Sequence, residues 1–439
     1  MRTPMLERMT DVLTEGLVTA TRRGASAAKI SFSQRERIGC AFESGRLKSA
    51  ETAQGASYTV TVLAEGRKGV ATGTDAGDLD EIIDRAVALA KVGSAAHFEA
   101  YPAGGEVRAV EKWSPRVLEL PREKLIESCQ QIVDALKRYD PELFIEASGR
   151  RSESEGLLVT TGGVCHRTTS TNWRLGAYAQ RTEGTDMLFA GFGRSWNDLS
   201  DLYDADHIAE EILQDLRHGE RIVEAPKGRC AAVLSPQVLG MLLYAVEMGV
   251  NGRNVAKGDS PLRGRLGEKV LDESITLLDD PHVPYAPGAA EIDGDGVPAR
   301  KIGIFTRGVL ESFLYDLDSA GLAGAEPTGN HACQPHCPEV LGGKRGHDEI
   351  IADVDDGIYL KQLLGFGQSN LINGDFSCNV ALGFRVRGGE IVGRVKNTMA
   401  AGNVYELLAS NVELSSDRDP VERLPYARIE GLNLAAAQD

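Results

Sequence analysis

The chain has 439 residues and carries 48 Lys plus Arg against 64 Asp plus Glu, a formal net charge of −16. That surplus argues against nucleic acid as a partner, because phosphate binding rests on cationic side chains that release counterions. Hydrophobic residues at 42% and charged residues at 26% are ordinary globular usage, which excludes disorder and suggests about two to four domains at roughly 100–200 residues each.

In chain order, charges interrupt every apolar run of Met1 to Ala20, so this start lacks the core of a signal peptide. Met5, Met9, Val12, Leu13 and Leu17 recur at three- and four-residue spacing and predict an opening helix. Ala28 to Phe32, Ser57 to Ala64 and Gly69 to Thr72 read as antiparallel strands joined by tight turns. Asp80 to Val92 reads as a helix with acids in its first turn, which closes an N-terminal α+β domain over residues 1–98. Pro- and Gly-bearing Glu99 to Pro115 reads as a linker.

A helix from Pro121, with Leu125, Cys129, Ile132, Val133 and Leu136 as its stripe, opens a β-rich middle domain over 99–224. Its strands are expected at Leu143 to Ala147, Gly156 to Thr161, Asn172 to Gln180 and Thr185 to Phe192, followed by a helix from His207 to His218. Residues 225–439 begin with a strand, Cys230 to Leu234, and a helix, Pro236 to Met248. Short strands follow at Ala299 to Thr306, Val309 to Asp316, Ile358 to Leu364, Cys378 to Val386 and Glu390 to Val395, with Gly388-Gly389 as a hairpin signal. The fold class is therefore α+β, with a larger β-sheet or barrel-like C-terminal domain. No run approaches about 18 apolar residues, so no membrane segment is expected, and seven scattered cysteines fit reduced thiols in a cytoplasm.

Catalytic signatures are sparse. No H-E-x-x-H helix, G-x-S-x-G elbow or phosphate loop occurs. His207 and Glu211 share a helix face, a spacing that reads as a solvated surface pair. One dense group of ligand-type side chains exists: His331, Cys333, His336 and Cys337, the metal candidates of this chain. Their spacing lacks the paired C-x2-C knuckles of a zinc site, and a loop with half-buried thiols is the plainer reading. Asp293-Gly294-Asp295-Gly296 lacks the distal Glu of a calcium loop and reads as a turn.

Further motifs carry a resemblance. Asp279-Asp280-Pro281, Asp295-Gly296-Val297-Pro298, Thr328-Gly329-Asn330, Asp356-Gly357-Ile358-Tyr359-Leu360, Gly365-Phe366-Gly367-Gln368-Ser369-Asn370, Asn373-Gly374-Asp375-Phe376-Ser377 and Ala400-Ala401-Gly402-Asn403 occur in this order. With Gly45-Arg46-Leu47 and Gly66-Arg67-Lys68-Gly69 upstream, the chain resembles the TldD/PmbA family over nearly its whole length. One branch of that family bears an H-E-x-x-x-H zinc motif on the helix after the first C-terminal strand. Laid on this sequence, the motif puts Leu243 and Met248 where the two ligand His would stand and Tyr244 in place of the general base.

The resemblance is therefore to the PmbA, or TldE, branch. It implies a non-catalytic cytoplasmic subunit with no zinc of its own, paired as a heterodimer with a TldD-type zinc-bearing subunit. The complex would be a metalloprotease that cleaves small unfolded peptides, in peptide maturation and antitoxin turnover. Two other readings stay open: a homo-oligomeric peptide-binding scaffold, and a self-sufficient hydrolase using the His331 to Cys337 loop.

Overall fold

The computed structural model describes residues 3–199 and 204–436. Helix α1 (Thr3–Arg22) leads into three strands, β1 (Ala27–Glu43), β2 (Arg46–Ala64) and β3 (Arg67–Gly73), then helices α2 (Leu79–Ala90), α3 (Pro115–Glu119) and α4 (Arg122–Tyr139). Strands β4 (Phe144–Thr160), β5 (Cys165–Glu183) and β6 (Asp186–Trp196) follow, and helix α5 (Ala205–His218) ends this half. The six strands form one antiparallel sheet in the order β3-β2-β1-β4-β5-β6. Residues 1–98 and 99–224 thus contribute three strands each to a shared ladder, joined where β1 meets β4 from Lys29↔Thr160 to Phe42↔Ala147.

These strands are far longer than the sequence pattern predicts. Leu143 to Ala147 and Gly156 to Thr161, expected as separate strands, are the two ends of β4, and Ala28 to Phe32 is only the start of β1. The unpredicted middles carry Arg35, Arg37, Arg150, Ser152 and Ser154 on a face that borders an open cavity instead of apolar core. Strand pairing holds them extended without the apolar alternation that signals a strand. On the other side of the ladder α1 and α2 cover Ile30, Val60 and Val62, all buried. At Gly69 the backbone of α2 comes so near that a Cβ would lie 1.9 Å from the Ala86 carbonyl oxygen, so only glycine fits.

The C-terminal half continues with β7 (Ile222–Val223), β8 (Gly228–Leu234), α6 (Pro236–Val250), α7 (Gly252–Lys257), β9 (Leu277–Asp279), β10 (Ile302–Thr306), β11 (Val309–Leu310), α8 (Leu317–Ala323), β12 (Pro338–Val340) and α9 (His347–Ala352). It ends with β13 (Asp356–Leu364), β14 (Asp375–Arg387), β15 (Glu390–Val395), β16 (Thr398–Asn403), α10 (Val404–Leu407), β17 (Glu413–Arg418) and β18 (Pro425–Ala436). Strand order runs β13-β8-β18-β16-β14, and β14 pairs back onto β13, so five strands close a barrel. The barrel-like expectation is met. Gly388 and Gly389 both take positive φ (58° and 80°) between Arg387 and its partner Glu390, the tight hairpin their sequence signalled. Val309 to Asp316, by contrast, is a strand only at Val309–Leu310.

Alternation along β8 divides two cores. Ala232 and Leu234 face the C-terminal core with α6, while Val233 joins Tyr359, Leu382 and Phe384 against α4 and α5. Those two helices therefore lie between the six-stranded sheet and the barrel, and one apolar core belongs to both halves. Among the described residues no helix is long and apolar enough to cross a membrane.

Candidate functional site

Helix α6 begins where Ser235 accepts a hydrogen bond from the Val238 amide at 3.3 Å, with Pro236 in the first turn. Val238, Leu239, Leu242, Leu243, Ala245 and Val246 are buried in the C-terminal core. Gln237, Met241, Tyr244 and Met248, at spacings of four, three and four, form the opposite, partly open stripe. Leu243 is thus a core residue at 2% exposure, Tyr244 is open at 44%, and Met248 lies half-buried against the same core. Nitrogen, oxygen and thiolate ligands for Zn²⁺ are missing from all three positions except for a phenol, so these residues do not fit a zinc site.

The stripe's first two members, Gln237 and Met241, border a cavity of about 1160 Å³ that lies between the six-stranded sheet and the barrel. The sheet contributes small residues to its wall, Ala41, Ser148, Gly176 and Gly193, and thereby leaves room there. The barrel contributes Lys361, whose Nζ lies 3.2 Å from Asp215 Oδ1 and 3.6 Å from Glu211 Oε2 on α5. Burial pulls the Lys361 pKa down, but Asp215 and Glu211 outweigh it and hold the ammonium above its ordinary range. Burial raises the phenol of Tyr359 far above its usual value, and Tyr426 likewise, so both present neutral hydroxyls. Tyr426 stacks on His347 at 4.3 Å, and His347 Nδ1 is 2.6 Å from Asp417 Oδ2.

His207 is exposed, as the surface reading expected, while Glu211 is half-buried. Both line the cavity, His207 edge-on to Phe192 at 5.7 Å and Glu211 against Lys361. Glu211 is partly covered because β13 brings Lys361 against it, and helix spacing alone cannot show that.

The loop of His331, Cys333, His336 and Cys337 does not gather its four side chains. Cys333 is fully buried, its Sγ 3.0 Å from Ser319 Oγ and accepting from the Asp316 amide at 3.3 Å. His336 Nε2 lies 2.7 Å from the Gly329 carbonyl oxygen, and the His331 ring lies against Gly294. Burial, with Asp279 beside it, pushes the Cys337 thiol up to about 12. Neither buried thiol is prepared for nucleophilic attack, since burial raises both. Among the described residues no three His, Cys, Asp or Glu side chains form a group able to hold a metal ion.

Asp279 organises this loop. It is fully buried and accepts from the amides of His336 (2.9 Å) and Cys337 (2.8 Å) and from Asn330 Nδ2 (2.7 Å). The Asp293 side chain accepts from the Asp295 and Val297 amides at 2.8 and 3.0 Å, a turn as its sequence suggested.

Sequence reasoning passed over Glu247 and Lys361. Burial and then Asp279 push the carboxyl of half-buried Glu247 on α6 up to about 7. Lys361 did leave a signal, a lone cation within the apolar strand Ile358-Tyr359-Leu360-Lys361-Gln362-Leu363. Glu247 left none.

Fold and cavity together define an α+β protein that closes a barrel against a long antiparallel sheet and keeps a large chamber between them. A family model for the PmbA/TldA metallopeptidase C-terminal domain matches residues 227–436, and one for PmbA/TldA metallopeptidase domain 1 matches residues 28–90. The chain belongs to the TldD/PmbA family. It is 32% identical over 227 residues to a metalloprotease of Methanothermobacter thermautotrophicus, covering 48% of this chain and 50% of that protein. Metalloprotease PmbA of Escherichia coli O157:H7 is 23% identical over 431 residues, 94% of this chain and 93% of that one. The chain spans about half the length of the first curated relatives it matches. The crystal structure of TldE from Thermococcus kodakarensis shares the fold with a TM-score of 0.87 at 22% identity, over 97% of this chain and all of that one.

Proposed function

We propose that this chain is the non-catalytic, TldE-like subunit of a zinc metalloprotease complex and that its partner is a TldD-type, zinc-bearing chain. The observation that carries the reading is on helix α6: the family's ligand and base positions hold Leu243, Tyr244 and Met248, while Gln237 and Met241 of the same helix border a chamber of about 1160 Å³. The chamber exceeds the ~300–1,000 Å³ of typical small-molecule sites and suits a stretch of unfolded peptide. In this reading the chain shapes and binds, and its partner supplies zinc and the general base. The cytoplasm, where thiols stay reduced, is the compartment that suits its seven free cysteines.

The separate engagement of His331, Cys333, His336 and Cys337 speaks against a self-sufficient hydrolase at that loop. The test is to purify the full chain alone and with a TldD-type protein encoded in the same genome. Alone, the chain should bind no stoichiometric zinc and cleave no unfolded peptide. Together, the two should co-elute and show cleavage that a chelator abolishes. A chain that remains a homo-oligomer in the presence of that protein, binding peptide without any cleavage, would support the scaffold reading instead.

A further inference from the structure

The middle of the long sheet carries a cluster of arginines that the proposed function does not use. Register places Arg150 of β4 directly opposite Arg174 of β5, and Arg150 opposite Gly39 of β1. Arg37 and Arg35 stand two and four positions from Gly39, so all four arginines project from one face. Like charges directly opposed on a sheet destabilise it, unless something else compensates. Arg37 has Glu51 at 2.9 Å, and Arg35 has Ser154 Oγ at 2.9 Å. Among the described residues the side chains of Arg150 and Arg174 have neither an ion pair nor a hydrogen bond. The buried Nε of Arg37 is also unpartnered. In a chain of net charge −16 this is a positive focus against the overall field.

Three cavities adjoin the pair, one of them, of about 380 Å³, lined by Arg174 with Arg194 and Cys337. Arg150, with Arg35 and Arg37, lines one of about 370 Å³, and Arg174 lines the large chamber. The next row of the same face, Ala41, Ser148, Gly176 and Gly193, is small enough to admit a backbone. Burial, and then Arg174, Arg37 and Arg35, lower the pKa of Arg150 by more than nearby Glu51 raises it.

We infer that Arg150 and Arg174 form an anion subsite at the chamber's edge that takes a carboxylate of an extended peptide, either its C-terminus or an Asp or Glu side chain. Directly opposed residues have Cβ atoms ~4.5–5.5 Å apart, so two guanidinium forks can share the oxygens of one carboxylate. The inference rests on the peptide-binding reading above and adds a preference to it.

The test uses fluorescent, N-acetylated unfolded peptides of about ten residues in three forms: free C-terminal carboxylate, C-terminal amide, and amide with one internal Asp. Anisotropy is measured on the full chain alone and with its TldD-type partner. At low salt, either carboxylate-bearing form should bind at least tenfold more tightly than the neutral amide, a margin that salt should shrink. The Arg150→Gln/Arg174→Gln double variant should erase that margin and melt no lower than wild type, since it removes a repulsion. Arg150→Lys/Arg174→Lys, which keeps charge but loses the forks, should retain part of it. Which carboxylate the site takes follows from comparing the first and third peptides. Equal binding of all three peptides by the wild type overturns the inference while leaving peptide binding intact, as does a margin that survives in the Gln variant. Loss of partner association in the Gln variant, with the margin unchanged, would assign the arginines to the subunit interface. Binding of no peptide at all, with or without partner, defeats the functional reading and this inference together.

Discussion

Glu247 shows how one side chain can report its surroundings through pH. Its carboxyl, pushed up to about 7 by burial and by Asp279, takes up protons in the folded chain that the unfolded chain, near 4.5, does not hold. Between these values the folded state binds more protons, so stability falls as pH rises from 4.5 to 7 and is level beyond. A glutamine at this position resembles the protonated acid and carries no such penalty. Glu247→Gln should therefore leave stability unchanged near pH 4 and raise it by an amount on the order of 3 kcal/mol above pH 7. Urea unfolding of both chains from pH 4 to 8 checks this, and parallel curves across that range would remove the idea. Lys361 behaves differently because its two acids, Asp215 and Glu211, outweigh burial and keep it charged. Burial also raises Asp215, which makes the pair costly to break from either side.

At the scale of elements, the zinc-motif alignment proposed for α6 asks whether three side chains or the whole site would separate this chain from a zinc-bearing one. Leu243 points into the C-terminal core at 2% exposure, whereas Tyr244 points outward. Restoring the motif as Leu243→His/Tyr244→Glu/Met248→His therefore buries an imidazole and brings no third ligand. The triple variant should bind no stoichiometric zinc and lose roughly 2–4 kcal/mol, through a core polar group without a partner. Metal analysis after dialysis against zinc, with a melting curve, gives both readings, and one tightly held zinc per chain would show that the site geometry survives. How legible each element was in the sequence follows from what covers it. Helices α2 and α4 showed their stripes because each buries one apolar face. Gly388-Gly389 named its hairpin because the turn needs two positive φ angles. The centres of β1 and β4 stayed hidden because pairing, not burial, holds them extended, and that same polarity is what lines the cavities. Glu211 read as solvated because helical spacing reveals a face and not what a later strand, β13, brings against it.

The whole molecule is organised by the core that α4 and α5 share with the barrel. Phe384 of β14 is fully buried there, within the same cluster as Ile132 of α4 and Ile212 of α5. Ion pairs cross the same boundary: the Arg194 guanidinium of β6 holds Asp419 through Nε at 3.1 Å, and Arg394 of β15 meets Asp186 at 2.5 Å. The Arg194 pair is nearly dry, with 6% and 9% of its side chains exposed, so removing either partner would strand a buried charge. The chamber lies between the two halves, so its shape depends on their staying docked. A sequence pattern that divides the chain at 98 and 224 cannot show this, because pairing of β1 with β4 and packing of Phe384 join residues far apart in the chain. If the shared core couples the halves, they unfold together. Calorimetry should give one cooperative transition for the wild type, and Phe384→Ala, which costs ~3–5 kcal/mol, should move that single transition downward without splitting it. Two resolved transitions, with only one shifted by the substitution, would mean that the halves are stable separately and that the chamber between them can open without unfolding either.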